Sequence, residues 1–185
     1  VIFPASLRFL QGLGFEPFDA GAFDLNMILW RGKDRTPGLL NDGLSVVYRL
    51  YSGNWREDFW AVNIDPSPRY LVDPVNPAGT LVIPAGRHPG AWKVGTHKGR
   101  RALVQASTLT VGRDGDRDLV IDPTTKDRGW FGWNLHNGGA DDSAGCTTTG
   151  EGEAGQRVVD AVRGLLSDQI RHAHGDTVTV TVVDL

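Results

Sequence analysis

Between Asp176 and Asp184 the chain alternates strictly, with Val178, Val180 and Val182 on one face and Thr177, Thr179 and Thr181 on the other. A period of two built from β-branched residues predicts a strand with one buried face. Similar short runs recur through the first 150 residues. Leu44 to Tyr51 and Phe59 to Ile64 flank Gly53-Asn54 and read as a hairpin. Further strands are expected at Asp24 to Arg31, Thr80 to Ile83, Ala91 to Gly95, Ala102 to Ala106, Leu109 to Arg113, Leu119 to Ile121 and Gly129 to His136. One stretch changes period. From Ala154 to His172, Val158, Val159, Val162, Leu165, Leu166 and Ile170 recur every three or four residues, which predicts an amphipathic helix stopped near Gly175. Gly164 inside it costs about 1 kcal/mol and suggests close packing. Pro4 to Gln11 is a candidate short helix, and the proline-rich segment Asp65 to Gly79 reads as a long loop.

This pattern gives a mainly β (α+β) fold. It is one domain over residues 1–185, with a β-rich core at 24–150, then a principal helix at about 154–172 and a returning C-terminal strand within 151–185. Short connections favour antiparallel pairing, with the helix across a sheet face.

Composition narrows the chemistry. The 185 residues include 40% hydrophobic and 22% charged positions, enough for an ordinary core. A net charge of -3 offers no electrostatic footprint for nucleic acid or an anionic membrane. No apolar run approaches the 18 or so residues that span a bilayer. The single cysteine, Cys146, excludes an internal disulfide framework and multi-cysteine metal sites. The start at Val1 rather than Met suggests a processed or cropped N-terminus.

Chemistry concentrates between Gly129 and Thr149. Alternation puts Phe131, Trp133 and Leu135 toward the core, and Gly132, Asn134 and His136 on a face opened by the glycine. The chain turns through Asn137-Gly138-Gly139 and returns through Ser143-Ala144-Gly145-Cys146. A nucleophilic thiol needs a base, and ten residues suffice to bring Cys146 back to His136. Gly145 lets backbone approach a substrate carbonyl, amides around Gly145 and Cys146 suit an oxyanion, and Ser143 orients the imidazole or holds the loop. The competing reading is an inert, buried cysteine. A polar, glycine-rich setting weighs against that.

These residues resemble the signature of the L,D-transpeptidase catalytic domain family (the YkuD-like fold). The matching positions are His136, Gly138 or Gly139, Ser143, Gly145 and Cys146. Within that superfamily they are similar to a divergent branch with a Phe-Gly-x-Asn-x-His strand and a Ser-Ala-Gly-Cys loop. Softer likeness extends through Asn76 to Thr80, Gly95 to Gly99, Ala102 to Gln105 and Val111 to Asp114. The resemblance implies a β-sandwich or strongly curved mixed sheet. It also implies a bacterial or phage protein of the cell envelope, periplasm or exterior. Its substrates would be peptidoglycan stem peptides, attacked by Cys146 with His136 as base, through a thioester resolved by an amine or by water. The chain departs from the family pattern at Ala144, where histidine is usual. It departs again at Thr147 and Thr148, where arginine or asparagine is usual, and in its short His136–Cys146 interval.

Other polar positions are weaker candidates. Asn134, Gly138, His97, Trp130 and Arg87 are assigned to substrate binding. Lys98 and His88 accompany them, with solvated hairpin tips as the alternative, and Gln105 either lines the groove or is structural. Asp114, Asp116, Asp118 and Asp122 start like a calcium loop, but Leu119 and Thr125 break the pattern, leaving an acidic turn. His172 and His174 suit a helix C-terminus. A zinc site there lacks further ligands. No metal or cofactor is expected. The alternatives to acyl transfer are a non-catalytic wall-binding or structural module of an envelope or phage protein, and a cysteine protease or amidase acting on ordinary proteins.

Overall fold

The computed structural model describes residues 25–36, 39–49, 55–118, 125–139, 143–171 and 175–185. Among the described residues eleven strands run in chain order: β1 (Asn26–Arg31), β2 (Asp42–Arg49), β3 (Trp55–Val62), β4 (Thr80–Val82), β5 (Gly86–His97), β6 (Arg100–Gln105), β7 (Leu109–Asp114), β8 (Lys126–Gly129), β9 (Leu135–His136), β10 (Thr147–Thr148) and β11 (Thr177–Asp184). Two helices are present among the described residues, α1 (Pro68–Val72) and α2 (Gly152–Arg171). Eight strands form one strongly curved, half-barrel sheet in the order β10-β9-β6-β5-β11-β1-β2-β3. The order β4-β7-β8 makes a second, three-stranded antiparallel sheet.

The two strands expected at 44–51 and 59–64 pair antiparallel, β2 with β3, from Asp42↔Val62 to Arg49↔Trp55, the second beginning earlier than expected at Trp55 and ending at Val62. The C-terminal strand enters the middle of the large sheet between β5 and β1. Val178, Val180 and Val182 are buried there, as the alternation requires. The helix also forms over the expected span and lies against β5, β6 and β9. Val159, Val162 and Leu166 are its buried hydrophobic positions among the described residues, and an Arg101–Asp160 ion pair ties it to β6.

Several expectations are corrected. Pairing is not all antiparallel: β1–β11 and β9–β10 are parallel. The segment 65–79 contains α1, because Pro68 presets the helical φ at the first position and its missing N–H is not needed there. The strand expected at Ala91 begins at Gly86, since β11 continues its pairing across a register shift to His88, Arg87 and Gly86. Pro89, which has no N–H to give a ladder, lies within that irregularity. Residues 129–136 are not one strand. Chain 130–134 is irregular between β8 and β9, because a side chain, that of Gln105, takes its amides instead of a neighbouring strand. Gly164 marks no close packing: an added Cβ would meet nothing within 4 Å. The expected elements at 4–11 and 119–121, the 53–54 turn, Asp122, His172 and His174 lie outside the described residues.

Aromatic packing locks the part of the core beneath the 130–136 segment. Trp92 and Trp133 are fully buried with centroids 4.8 Å apart, and Trp92 Nε1 donates to the Trp133 carbonyl at 3.0 Å. Trp133 Nε1 donates in turn to Thr147 Oγ1 at 3.3 Å, linking this segment to β10.

Candidate active site

Edge pairing positions the two central residues. β9 pairs with β6 through Ala102↔His136 and Leu103↔Leu135. β10 pairs with β9 through Thr147↔Leu135 and Thr148↔His136, and Thr147 N–H donates to the Asn134 carbonyl at 2.9 Å. Cys146 immediately precedes β10, so the parallel register sets it beside Asn134, two positions before His136 on the neighbouring strand. Cys146 and His136 line one groove of about 330 Å³, together with His97, Lys98, Gly132, Asn134 and Ser143 among others.

Gln105, at the end of β6, braces this groove from below. Its Oε1 accepts the N–H groups of Phe131, Gly132 and Trp133 at 2.9, 2.9 and 3.2 Å. Its Nε2 donates to the carbonyls of Ser107 and Gly129. That grip presents the Gly132 carbonyl, which accepts a hydrogen bond from the half-buried Cys146 thiol at 3.3 Å. Gly132 itself has φ +72°, a conformation that glycine adopts without steric penalty.

The imidazoles have defined tautomers. His136 Nδ1 lies 2.9 Å from the Asn137 carbonyl. A carbonyl only accepts, so Nδ1 carries a proton, and in the neutral ring the lone pair is on Nε2. Asn134 Oδ1 accepts Gln105 N–H at 3.0 Å, which turns its amide nitrogen to His97 Nδ1, also at 3.0 Å. His97 Nδ1 is then the acceptor and its proton is on Nε2. The neighbouring rings therefore present opposite functions, one a base and the other a donor.

Electrostatics oppose a pre-formed thiolate. Burial pushes the Cys146 thiol above its ordinary value, and the backbone of Asn134 and the charge of Lys98 pull the other way without reversing it. The His97 imidazole is lowered by burial, then by His136 and Lys98. Lys98 sits at φ +49° and Gly99 at φ +77°, a two-residue hairpin turn with positive φ at both positions. Lysine is an uncommon choice there.

The predicted site residues separate. Cys146, His136, Asn134, Ser143, Gly145 and His97 share the groove. Ser143 Oγ donates to the Cys146 carbonyl at 2.6 Å and accepts Gly145 N–H at 3.2 Å, so it holds the loop rather than the imidazole. The same bond occupies the Gly145 amide that an oxyanion would need. Asn134 is a buried brace. Gly138 packs under the His136 ring, where a Cβ would come within 3.1 Å of Cε1. Trp130, 65% exposed, and Arg87 lie outside the groove and its two adjoining cavities. His88 is no solvated tip: its Nε2 meets the Pro84 carbonyl at 3.0 Å and its ring packs edge-on against Trp133. Asp114, Asp116 and Asp118 cluster in the acidic turn, where Asp114 accepts the amides of Arg117 and Asp118.

Among the described residues, two further cavities adjoin the groove. One of about 750 Å³ shares His97, Lys98 and His136 with it and adds Arg100, Glu151 and Glu153. Another of about 240 Å³ shares Tyr70, Leu81, Phe131 and Ala144 and adds Arg113. Sequence reasoning missed Arg113 and Glu151 because strand and turn positions alone do not say which of them face a common space. No family model, curated protein or solved structure matches the chain.

Proposed function

We propose that the protein is a cysteine-dependent acyl-transfer enzyme acting on peptidoglycan stem peptides, with an L,D-transpeptidase-like catalytic fold, working in the cell envelope or encoded by a phage. One observation carries the reading. Cys146 and His136 line the same groove, and with Nδ1 bonded to the Asn137 carbonyl the neutral His136 ring carries its lone pair on Nε2. A thiol with a base of that tautomer supports nucleophilic catalysis.

The thiol proton passes to His136 Nε2 as sulfur bonds to the peptide carbonyl carbon. The leaving amine takes that proton as the C–N bond breaks. Water or a second amine then attacks the thioester and restores the thiol. Because burial raises the thiol's pKa, proton transfer accompanies attack rather than preceding it.

The test is incubation with purified tetra- and pentapeptide stems, followed by mass analysis of the products and of the protein. A thioester on Cys146, absent in Cys146→Ala, is the expected result. Unchanged turnover in Cys146→Ala overturns the reading. The raised thiol favours a second reading, a non-catalytic wall-binding module. Stem binding with no thioester and no product selects it.

A further inference from the structure

The 240 Å³ cavity beyond Ala144 is not used by the chemistry proposed above. Arg113 reaches it from β7 and is only 8% exposed. Its guanidinium carbon lies 5.5 Å from the Phe131 ring centroid, and its Nη2 donates to Asp127 at 3.1 Å. Nε is fully buried and has no hydrogen-bond partner among the described residues. A buried cation whose donors are incompletely used is costly, and a ligand that completes its solvation recovers that cost. The Asp127 side chain is half-exposed, so it neutralises the guanidinium only in part.

We propose that this cavity is a carboxylate subsite, in which Arg113 binds a carboxylate on the arm of the acyl donor that runs from Cys146 past Ala144. A carboxylate matches the planar guanidinium fork. A phosphate dianion would meet one cation already shared with Asp127. Leu81, Val75 and Phe131 supply apolar walls for the aliphatic stem of such an arm. The Tyr70, Leu81, Phe131 and Ala144 boundary joins the cavity to the thiol groove, so one extended ligand can occupy both. The proposal rests on the acyl-transfer reading for the identity of the ligand, but not for the charge it carries.

The experiment measures binding of tetrapeptide stems to Cys146→Ala, with each internal carboxylate free or amidated in turn. Amidating one of them weakens binding about tenfold, the loss of one charge-assisted hydrogen bond. The same amidation has no effect in a folded Arg113→Gln/Cys146→Ala protein. Asp127→Asn, added to Cys146→Ala, removes the competing carboxylate and tightens the free stem by roughly threefold or more. Equal binding of all stems, discrimination that survives Arg113→Gln, or no stem binding at all overturns the subsite. If Arg113→Gln fails to fold, unchanged affinity in the Asp127→Asn protein overturns it. Thioester formation on the wild-type protein is scored separately. Discrimination without a thioester removes the catalytic reading and keeps the subsite, and a thioester without discrimination does the reverse.

Discussion

The imidazole rings of His97 and His136 lie 4.6 Å apart between centroids and 31° from parallel. Two cationic rings at that distance repel strongly, so the pair takes up its protons in separate steps. Burial, the His136 charge and Lys98 all hold His97 below its ordinary 6.5. NMR titration is therefore expected to place the His97 midpoint below that ordinary value. Lys98→Met removes the third of these influences only. It moves the His97 midpoint up while leaving it below 6.5, and a midpoint unchanged by that substitution contradicts the arrangement.

Lys98 acts on the thiol in the opposite sense, since a nearby cation favours a thiolate and disfavours an imidazolium. The Cys146 thiol is expected to titrate above the free-cysteine value of about 8.5. Iodoacetamide labelling then rises with pH up to and beyond that point. Lys98→Met raises the midpoint further and slows labelling at pH 8. A labelling midpoint below 7 would instead indicate a pre-formed ion pair with imidazolium, the usual state of an activated thiol.

Asp42 makes stability depend on pH away from the site. It is 1% exposed and accepts the N–H groups of Gly32 and Ile64 at 2.9 and 2.8 Å. Burial outweighs those bonds and Arg31, and with Asp65 it raises the carboxyl to about 6. The folded pKa exceeds the unfolded one, so the stabilising contribution is complete below the unfolded value of about 3.9. It is lost as pH rises through 6, by roughly 3 kcal/mol. Urea unfolding at pH 4.5 and pH 7 should show about 2 kcal/mol of that decline from this residue, because at pH 4.5 the unfolded carboxyl is already mostly ionised. Asp42→Asn removes it, at a pH-independent cost of about 1–3 kcal/mol for the lost acceptor.

Much of this architecture is legible in the sequence where a single period governs a segment. The Val/Thr alternation of β11 and the three-four spacing of α2 both correspond to observed faces. The 129–136 segment shows where periodicity fails. Its residues alternate like a strand, yet their amides go to Gln105, a residue 26 positions away from Phe131. No local pattern encodes that partner. The same holds for Arg113. Its position on β7 was readable, but its share in a cavity with Phe131 and Ala144 depends on how the second sheet meets the 130–146 loops. The Ser143-Ala144-Gly145-Cys146 loop and His136 were readable as a pair of short motifs, and the two-residue β9–β10 pairing explains why both reach one groove.

Two glycines of α2 separate helix propensity from tertiary fit. Gly164 is exposed, and a Cβ there meets nothing within 4 Å. Gly164→Ala gains only the helix preference of alanine, so stability rises by about 0.5–1 kcal/mol. Gly155 is buried in the first turn, and a Cβ there would stand 2.1 Å from the Gly150 carbonyl oxygen and 2.7 Å from its carbon. Both are backbone atoms and cannot rotate away. Gly155→Ala must therefore displace the turn before α2, at a cost of about 1–3 kcal/mol or more. That turn is joined to the groove: the Gly150 carbonyl accepts Gly138 N–H at 3.0 Å, and Thr149 N–H donates to the His136 carbonyl at 3.2 Å. The displacement consequently reaches His136. Urea unfolding is expected to move in opposite directions for the two variants, and only Gly155→Ala should shift the ring resonances of His136 and His97. Equal stability of the two proteins would mean that the 150–155 turn yields without resistance.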